Sequence, residues 1–331
     1  LGRDKQGGIV LAIAQEKLLY LYRQMVKIRL FEEKVAELSE RGKIPGNIHS
    51  YVGQEAIAVG ILADLSPQDY MASTHRGHGH LIAKGGDLKR MMAELYGKAT
   101  GYCKGKGGSM HVADFSIGSL GANGIVGGGI AMATGAALAN KLDGSNAVTV
   151  AFFGDGASNQ GVVYECFNMA SIWQLPIIYV LENNQYAVTT SAKEAVGGDI
   201  TARGLSYGIE TKVVDGNDVI EVYKTACSVL ERVRRGEGPC LLVCNTYRIQ
   251  GHLVGEWALN WRYRSQEEVD SWKKRCPIDR LRGLLEGELG VPAAELNRID
   301  GEVEQLVAAA VEFAENSPYP AESEAETDVL V

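Results

Sequence analysis

AVTVAFF (147–153) and PIIYVLE (176–182) are apolar at nearly every position, and QGVVYECFNMASIWQ (160–174) between them has helical character. A strand with one wet face alternates apolar and polar residues; a strand covered on both faces does not. TKVVDG and PCLLVCNTY, separated by the helical EVYKTACSVLERVRRG (221–236), extend the series, and DYMAST is a further short strand. This alternation predicts an α/β fold, a mostly parallel sheet with helices on both faces.

Around that sheet the patterns are helical. In residues 15–41, Leu18, Leu21, Tyr22, Met25, Ile28 and Val35 fall near helical spacing and predict an amphipathic helix. HSYVGQEAIAVGILADL reads as a loop entering a second helix, DLKRMMAELYGKA as a helix, and GYCKGKGGSMH as a glycine-rich loop. Beyond about residue 265 the chain is helical and charged, and the acidic SPYPAESEAETDVLV is expected to be flexible or held by a partner. With neither repeat nor linker in view, one α/β domain (46–265) carries an N-terminal helical extension (1–45) and a C-terminal helical region with its tail (266–331).

Composition narrows the classes of partner. The net charge is −8 and there is no long basic block, which argues against nucleic acid and against an anionic membrane surface. IVGGGIAMATGAALA (125–139) is too short and too rich in glycine to span a bilayer, and LGRDKQGGIV shows no signal peptide. The six cysteines form no CxxC pair, so reduced thiols in a cytoplasmic protein are expected. Cys240 and Cys244 should share one strand face as small apolar residues.

Both apolar strands end in oxygen-bearing residues. AVTVAFF runs into GDGASNQG, and PIIYVLE into NNQYA. Singly, Asp-Gly is a common turn and Asn-Asn a common helix cap. Together they bring two oxygen donors to the carboxyl edge of neighbouring strands, where open α/β sheets bind ligands. Asp155, Asn184 and a backbone carbonyl near Tyr186 could form one side of an octahedral Mg2+ site whose other ligands are phosphate and water. A helix opening near residue 157 would aim its amides at the same phosphates. GDGASNQG lacks the GxGxxG spacing, KGKGGSM is no Walker loop, and HRGHGH is weak as a metal cluster because no carboxylate adjoins it.

GDG followed by a helix, a strand and NN resembles the thiamine diphosphate motif. HSYVGQEA, HRGHG, ELYGKATGYCKGKGGSMH, LGANGIVGGGIA, LENNQYAVTTS and TYRIQGH extend the likeness over roughly residues 20–270. The whole resembles the α chain of the decarboxylating component of 2-oxo acid dehydrogenase complexes, most of all its acetoin dehydrogenase branch and next its pyruvate branch. The resemblance implies the thiamine diphosphate-binding fold, with Mg2+ held by Asp155, Asn184 and the carbonyl of Tyr186. It places Gly154, Gly156 and Ala157 along the diphosphate, Arg76 and His75 on a phosphate, and Gly124 and Val126 at the aminopyrimidine. His49 and His252 match the active-site histidines; His78, His80 and His111 are expected to be structural.

The implied activity is cleavage of acetoin to acetaldehyde, with the acetyl unit passed to a lipoyl-bearing dihydrolipoamide acetyltransferase core. The alternative is a pyruvate or branched-chain 2-oxo acid as substrate. In this family a glutamate needed by the cofactor belongs to a β subunit, so a heterotetramer of two α and two β chains is expected. GGGIAMATGAALA could lie at a subunit interface or pack as an internal helix. The animal pyruvate branch carries phosphorylated serines after the GH pair. Here HLVGEWALNWRYRS has no Ser or Thr before Ser265, which removes those sites. Trp257 and Trp261 could cover the entrance or simply pack.

Overall fold

A computed structural model describes residues 13–259 and 261–328, with residues 2–3 and 9–10 by backbone alone and Trp257 without its side chain. The expectations for LGRDKQGGIV and for the Trp257 ring fall largely outside these residues.

Six parallel strands form the sheet in the spatial order Ser119–Gly121, Tyr70–Ala72, Thr149–Gly154, Ile177–Asn183, Cys240–Asn245, Glu210–Asp215. The apolar runs are continuous because each face of the sheet has its own core. Val150, Phe152, Ile178, Val180, Cys240, Leu242 and Cys244 point into one, while Ala151, Phe153, Tyr179, Leu181, Leu241 and Val243 point into the other. The period of two survives as a choice between two apolar layers. Cys240 and Cys244 share a face as expected; burial pushes the Cys240 thiol up to about 12 and the Cys244 thiol further still.

The first layer is built by the helices Gln15–Glu40, Glu55–Leu62, Leu88–Leu95, Val219–Arg234 and Ala293–Asn316, whose buried residues form one cluster with the sheet. The six residues picked out by helical spacing in the first of these are all buried. Gly128–Leu142 and Gly161–Ile172 cover the other face. Asp87 and Asp218 cap their helices by accepting from backbone amides of the first turn.

Three local readings change. HRGHGH enters a helix, Gly77–Ala83, that is buried on every side and so shows no periodicity. Ser119–Gly121 is an edge strand hidden in a glycine-rich stretch. No long helix opens at residue 157: Ala157–Asn159 is a single 3-10 turn and the helix starts at Gly161. The tail, expected to be flexible or held by a partner, lies against the glycine-rich loop up to Asp328: Lys104 and Lys106 pair with Asp328, and Lys106 also with Glu324.

Helix Gly77–Ala83 packs too tightly for a side chain at its third residue. A β-carbon on Gly79 would lie 2.6 Å from Cγ of the fully buried Tyr51 ring. Gly79→Ala should therefore destabilise the chain by about 1–3 kcal/mol through overpacking. Thermal denaturation checks this, and an unchanged melting temperature would show that the ring can move aside.

Candidate active site

Because the strands are parallel, all their carboxyl ends open onto one edge. Within the sheet the chain first steps outward from Tyr70–Ala72 to Ser119–Gly121, then returns to the opposite side of Tyr70–Ala72 with Thr149–Gly154. That reversal leaves a crevice between the loops after Tyr70–Ala72 and Thr149–Gly154, the usual ligand position in such sheets. One cavity sits there. Its walls include His75 and Arg76 from the first loop, Gly154, Asp155, Gly156 and Ala157 from the second, and Asn184 and Tyr186 from the next strand end. Val126 and His252 also line it, so ten of the expected residues converge. His49 does not line the cavity but stands against it, its ring centroid 4.9 Å from that of His75 and 4.7 Å from that of His252. Gly124 lies off the wall, packed towards His111.

Asp155 is the most conspicuous group. It is 2% exposed, and its Oδ2 is buried with no hydrogen-bond partner. Burial pushes its carboxyl up to about 6, against the pull of Arg248 and Arg76. Gly154 pairs with Glu182 across the two strands, which sets Asp155 beside the Asn183–Asn184 turn. Asn184 Nδ2 donates to Gln54 Oε1 at 3.1 Å, so its carbonyl oxygen is turned the other way, 3.4 Å from the amide of Tyr186. The GDG and NNQYA loops touch: a β-carbon on Gly156 would come within 2.5 Å of Ala187 Cβ. Gln185 and Val188 both adopt positive φ, at 77° and 54°. For the β-branched Val188 this is strain held at the cavity wall.

Two guanidinium groups face the cavity. Arg76 is held by the carbonyls of Ser50 at 2.8 Å and His252 at 2.9 Å. Arg248, which sequence reading missed, donates to Tyr263 Oη at 3.0 Å and to the carbonyl of Val188, while its Nε has no partner. Among the described residues neither forms an ion pair with a carboxylate. Burial and then Arg248 bring Arg76 down to about 9, and burial lowers Arg248 as well. Two buried cations with no direct ion pair among the described residues make a site prepared for an anion.

The histidines divide into two sets. Burial first, and then Arg76, lowers His49 to about 4, His75 to about 2 and His252 to about 3, so all three are neutral at pH 7. A neutral imidazole keeps one donor and one acceptor nitrogen. His78 and His80 are fully buried in hydrogen-bonded chains. His78 links Glu32 to Ser109 Oγ, at 3.2 and 2.9 Å. His80 lies 2.7 Å from Ser73 Oγ and 3.1 Å from Glu182, whose carboxylate also accepts from Tyr51 Oη. Glu182 and Ser73 line the cavity floor. Only their neighbourhood to NN and HRGHGH could have pointed to them.

The loop after His252 is pinned from within. The His252 amide donates to Glu256, as does Tyr263 Oη at 2.9 Å, and Arg264 reaches the carbonyl of Arg248 at 2.7 Å. Ser265 caps the helix Gln266–Lys273, accepting from the Glu268 amide.

The family model for the dehydrogenase E1 component matches residues 23–323. The α subunit of the acetoin:2,6-dichlorophenolindophenol oxidoreductase of Bacillus subtilis (strain 168) is 47% identical over 323 residues, 97% of this chain and 96% of that protein. Its counterpart from Cupriavidus necator is 45% identical over 99% of this chain and 98% of its own. The pyruvate dehydrogenase E1 component subunit alpha of Zymomonas mobilis is 45% identical over 96% and 89%. The chain belongs to the dehydrogenase E1 component family, whose members are thiamine diphosphate-dependent oxidoreductase subunits.

Proposed function

We propose that the chain is the α subunit of an acetoin dehydrogenase, which cleaves acetoin to acetaldehyde and delivers the acetyl unit to a lipoyl-bearing dihydrolipoamide acetyltransferase. The observation that carries the cofactor half of this reading is the buried, partnerless Oδ2 of Asp155, in a cavity that Asn184, Arg76 and Arg248 also line. That donor set suits Mg2+ bound to a diphosphate: hard oxygens for the metal, cations for the phosphates. Asp155, Asn184 and the Tyr186 carbonyl would hold the metal. Gly154, Gly156 and Ala157 would run along the diphosphate, with Arg76 and His75 on its oxygens and Gly124 and Val126 towards the aminopyrimidine.

When bound, thiamine diphosphate supplies the electron sink for breaking the carbon–carbon bond. The chain's own work is positioning and proton handling. His49 and His252, neutral and side by side, would accept a proton from a substrate hydroxyl or donate one to its carbonyl oxygen. The Glu256 contact fixes the His252 backbone while this occurs.

Helix Gly128–Leu142 supports a β partner. It buries Ile130, Ala133 and Ala137 within this chain, and leaves Met132 and Leu142 exposed at 46% and 77%, near Ile125 and Trp173 at 74% and 43%. Such an apolar surface suits coverage by a second chain, in a tetramer of two α and two β subunits. Among the described residues no helix is long and apolar enough to cross a membrane, and we place the enzyme in the cytoplasm.

Purified with its β partner, the protein should reduce 2,6-dichlorophenolindophenol with acetoin, and only with Mg2+ and thiamine diphosphate. The kcat/KM for acetoin should exceed that for pyruvate by at least tenfold. A larger value for pyruvate or a branched 2-oxo acid would move the enzyme to the branch of the Zymomonas relative, with the same machinery.

A further inference from the structure

His49, His75 and His252 come from three loops far apart in sequence, and one ring nitrogen of each lies within 4.8 Å of the others. His49 Nδ1 and His75 Nε2 are buried without hydrogen-bond partners. His252 Nδ1 has only two long contacts, 3.4 Å to Arg76 and 3.3 Å to Arg248. No carboxylate hydrogen-bonds to any of these three rings among the described residues. We propose that the triad is a second metal site, distinct from the Mg2+ position at Asp155, that binds a borderline-soft divalent transition ion, Zn2+ above all, and that its occupation inhibits the enzyme.

Three imidazoles and one open position form a common Zn2+ environment, and imidazole discriminates against Mg2+, which demands oxygen. The two ions therefore sort themselves between the triad and the Asp155–Asn184 oxygens. With Zn–N near 2.0–2.1 Å, tetrahedral ligands stand about 3.3 Å apart. The rings must close by roughly an ångström and a half, a movement that three loop-borne side chains can make. Arg76 and Arg248 oppose any cation here. They weaken the site relative to a dedicated zinc enzyme, and a metal on His252 must displace or turn away its two long contacts. The inhibitory part rests on the proposed function, since a metal on the triad withdraws His49 and His252 from the substrate.

The test uses the full chain with its β partner, stripped of cofactor and kept in excess Mg2+. Titration with Co2+ should produce the strong visible absorption of a four-coordinate site, one per α chain, bleached by one equivalent of Zn2+. His75→Phe should lose that absorption and bind Zn2+ at least tenfold more weakly by calorimetry; His75→Gln is the second variant should the first fold poorly. If Co2+ keeps the faint spectrum of the aqueous ion, or the His75 variants bind Zn2+ as tightly as the parent, the site does not exist. With cofactor restored, Zn2+ should inhibit acetoin oxidation, and chelation followed by fresh Mg2+ should reverse it. Tight binding without inhibition would keep the metal site and overturn the placement of His49 and His252 at the substrate.

Discussion

Asp155→Asn should greatly weaken Mg2+-dependent binding of thiamine diphosphate while making the cofactor-free chain more stable at pH 7.5. Both effects have one cause. The carboxyl is buried, its Oδ2 has no partner, and burial raises it to about 6. A carboxyl higher in the folded than in the unfolded chain favours folding only where it is protonated. The sign is therefore unfavourable: stability falls as pH rises from near 4 through 6, and the full loss is present at 7.5. A shift of about two units corresponds to about 3 kcal/mol. Asparagine keeps the shape and removes that loss, so the difference in melting temperature between variant and parent should be several degrees at pH 7.5 and vanish near pH 4. The same change removes the anionic metal ligand, and cofactor affinity should fall by at least about a hundredfold, more than loss of a supporting hydrogen bond to a ligand would cause. Calorimetric titration with thiamine diphosphate in Mg2+ measures one effect and thermal denaturation the other. Undiminished cofactor affinity would remove Asp155 from the metal site; an unchanged melting temperature would mean that water or a counter-ion already compensates the charge.

Arg76→Gln should weaken thiamine diphosphate binding by about 2–5 kcal/mol, the range for truncating one partner of a buried charge pair. Among the described residues Arg76 forms no ion pair with a carboxylate that could replace the diphosphate, and Arg248 beside it adds repulsion. Its guanidinium also ties the carbonyls of Ser50 and His252, so it joins the loops that carry His49 and His252. Arg76→Lys keeps the charge but cannot hold two carbonyls and a phosphate in one plane, and should fall between parent and Gln variant. Binding of inorganic pyrophosphate with Mg2+ separates the two roles. If pyrophosphate binds Arg76→Gln as well as it binds the parent, Arg76 is a strut between loops and not a phosphate ligand.

Much of this was legible beforehand. Asp155 and Asn184 could be placed together because parallel strands must end on the same edge, whatever the rest of the chain does. Other features left no trace in local pattern. Gly77–Ala83 is buried all round, and an all-round buried helix has no apolar stripe to detect. Ser119–Gly121 is three residues long with a single large apolar side chain, too little for a period of two. Arg248 lies within TYRIQGH, yet nothing in that motif says that its side chain turns inward rather than to water.

The sequence alone determined the covered parallel sheet, the oxygen-rich ends of its central strands, and through its motifs the family. These follow from burial repeated along a segment, and such burial leaves a local record in the order of residue types. The tertiary structure alone decided the strand order with its reversal beside Tyr70–Ala72, the burial of two guanidinium groups at the cavity, and the meeting of His49, His75 and His252. It also decided that the acidic tail returns to Lys104 and Lys106. Each of these depends on where one loop crosses another, and the free energy of such a crossing belongs to both loops at once. No window of sequence contains it.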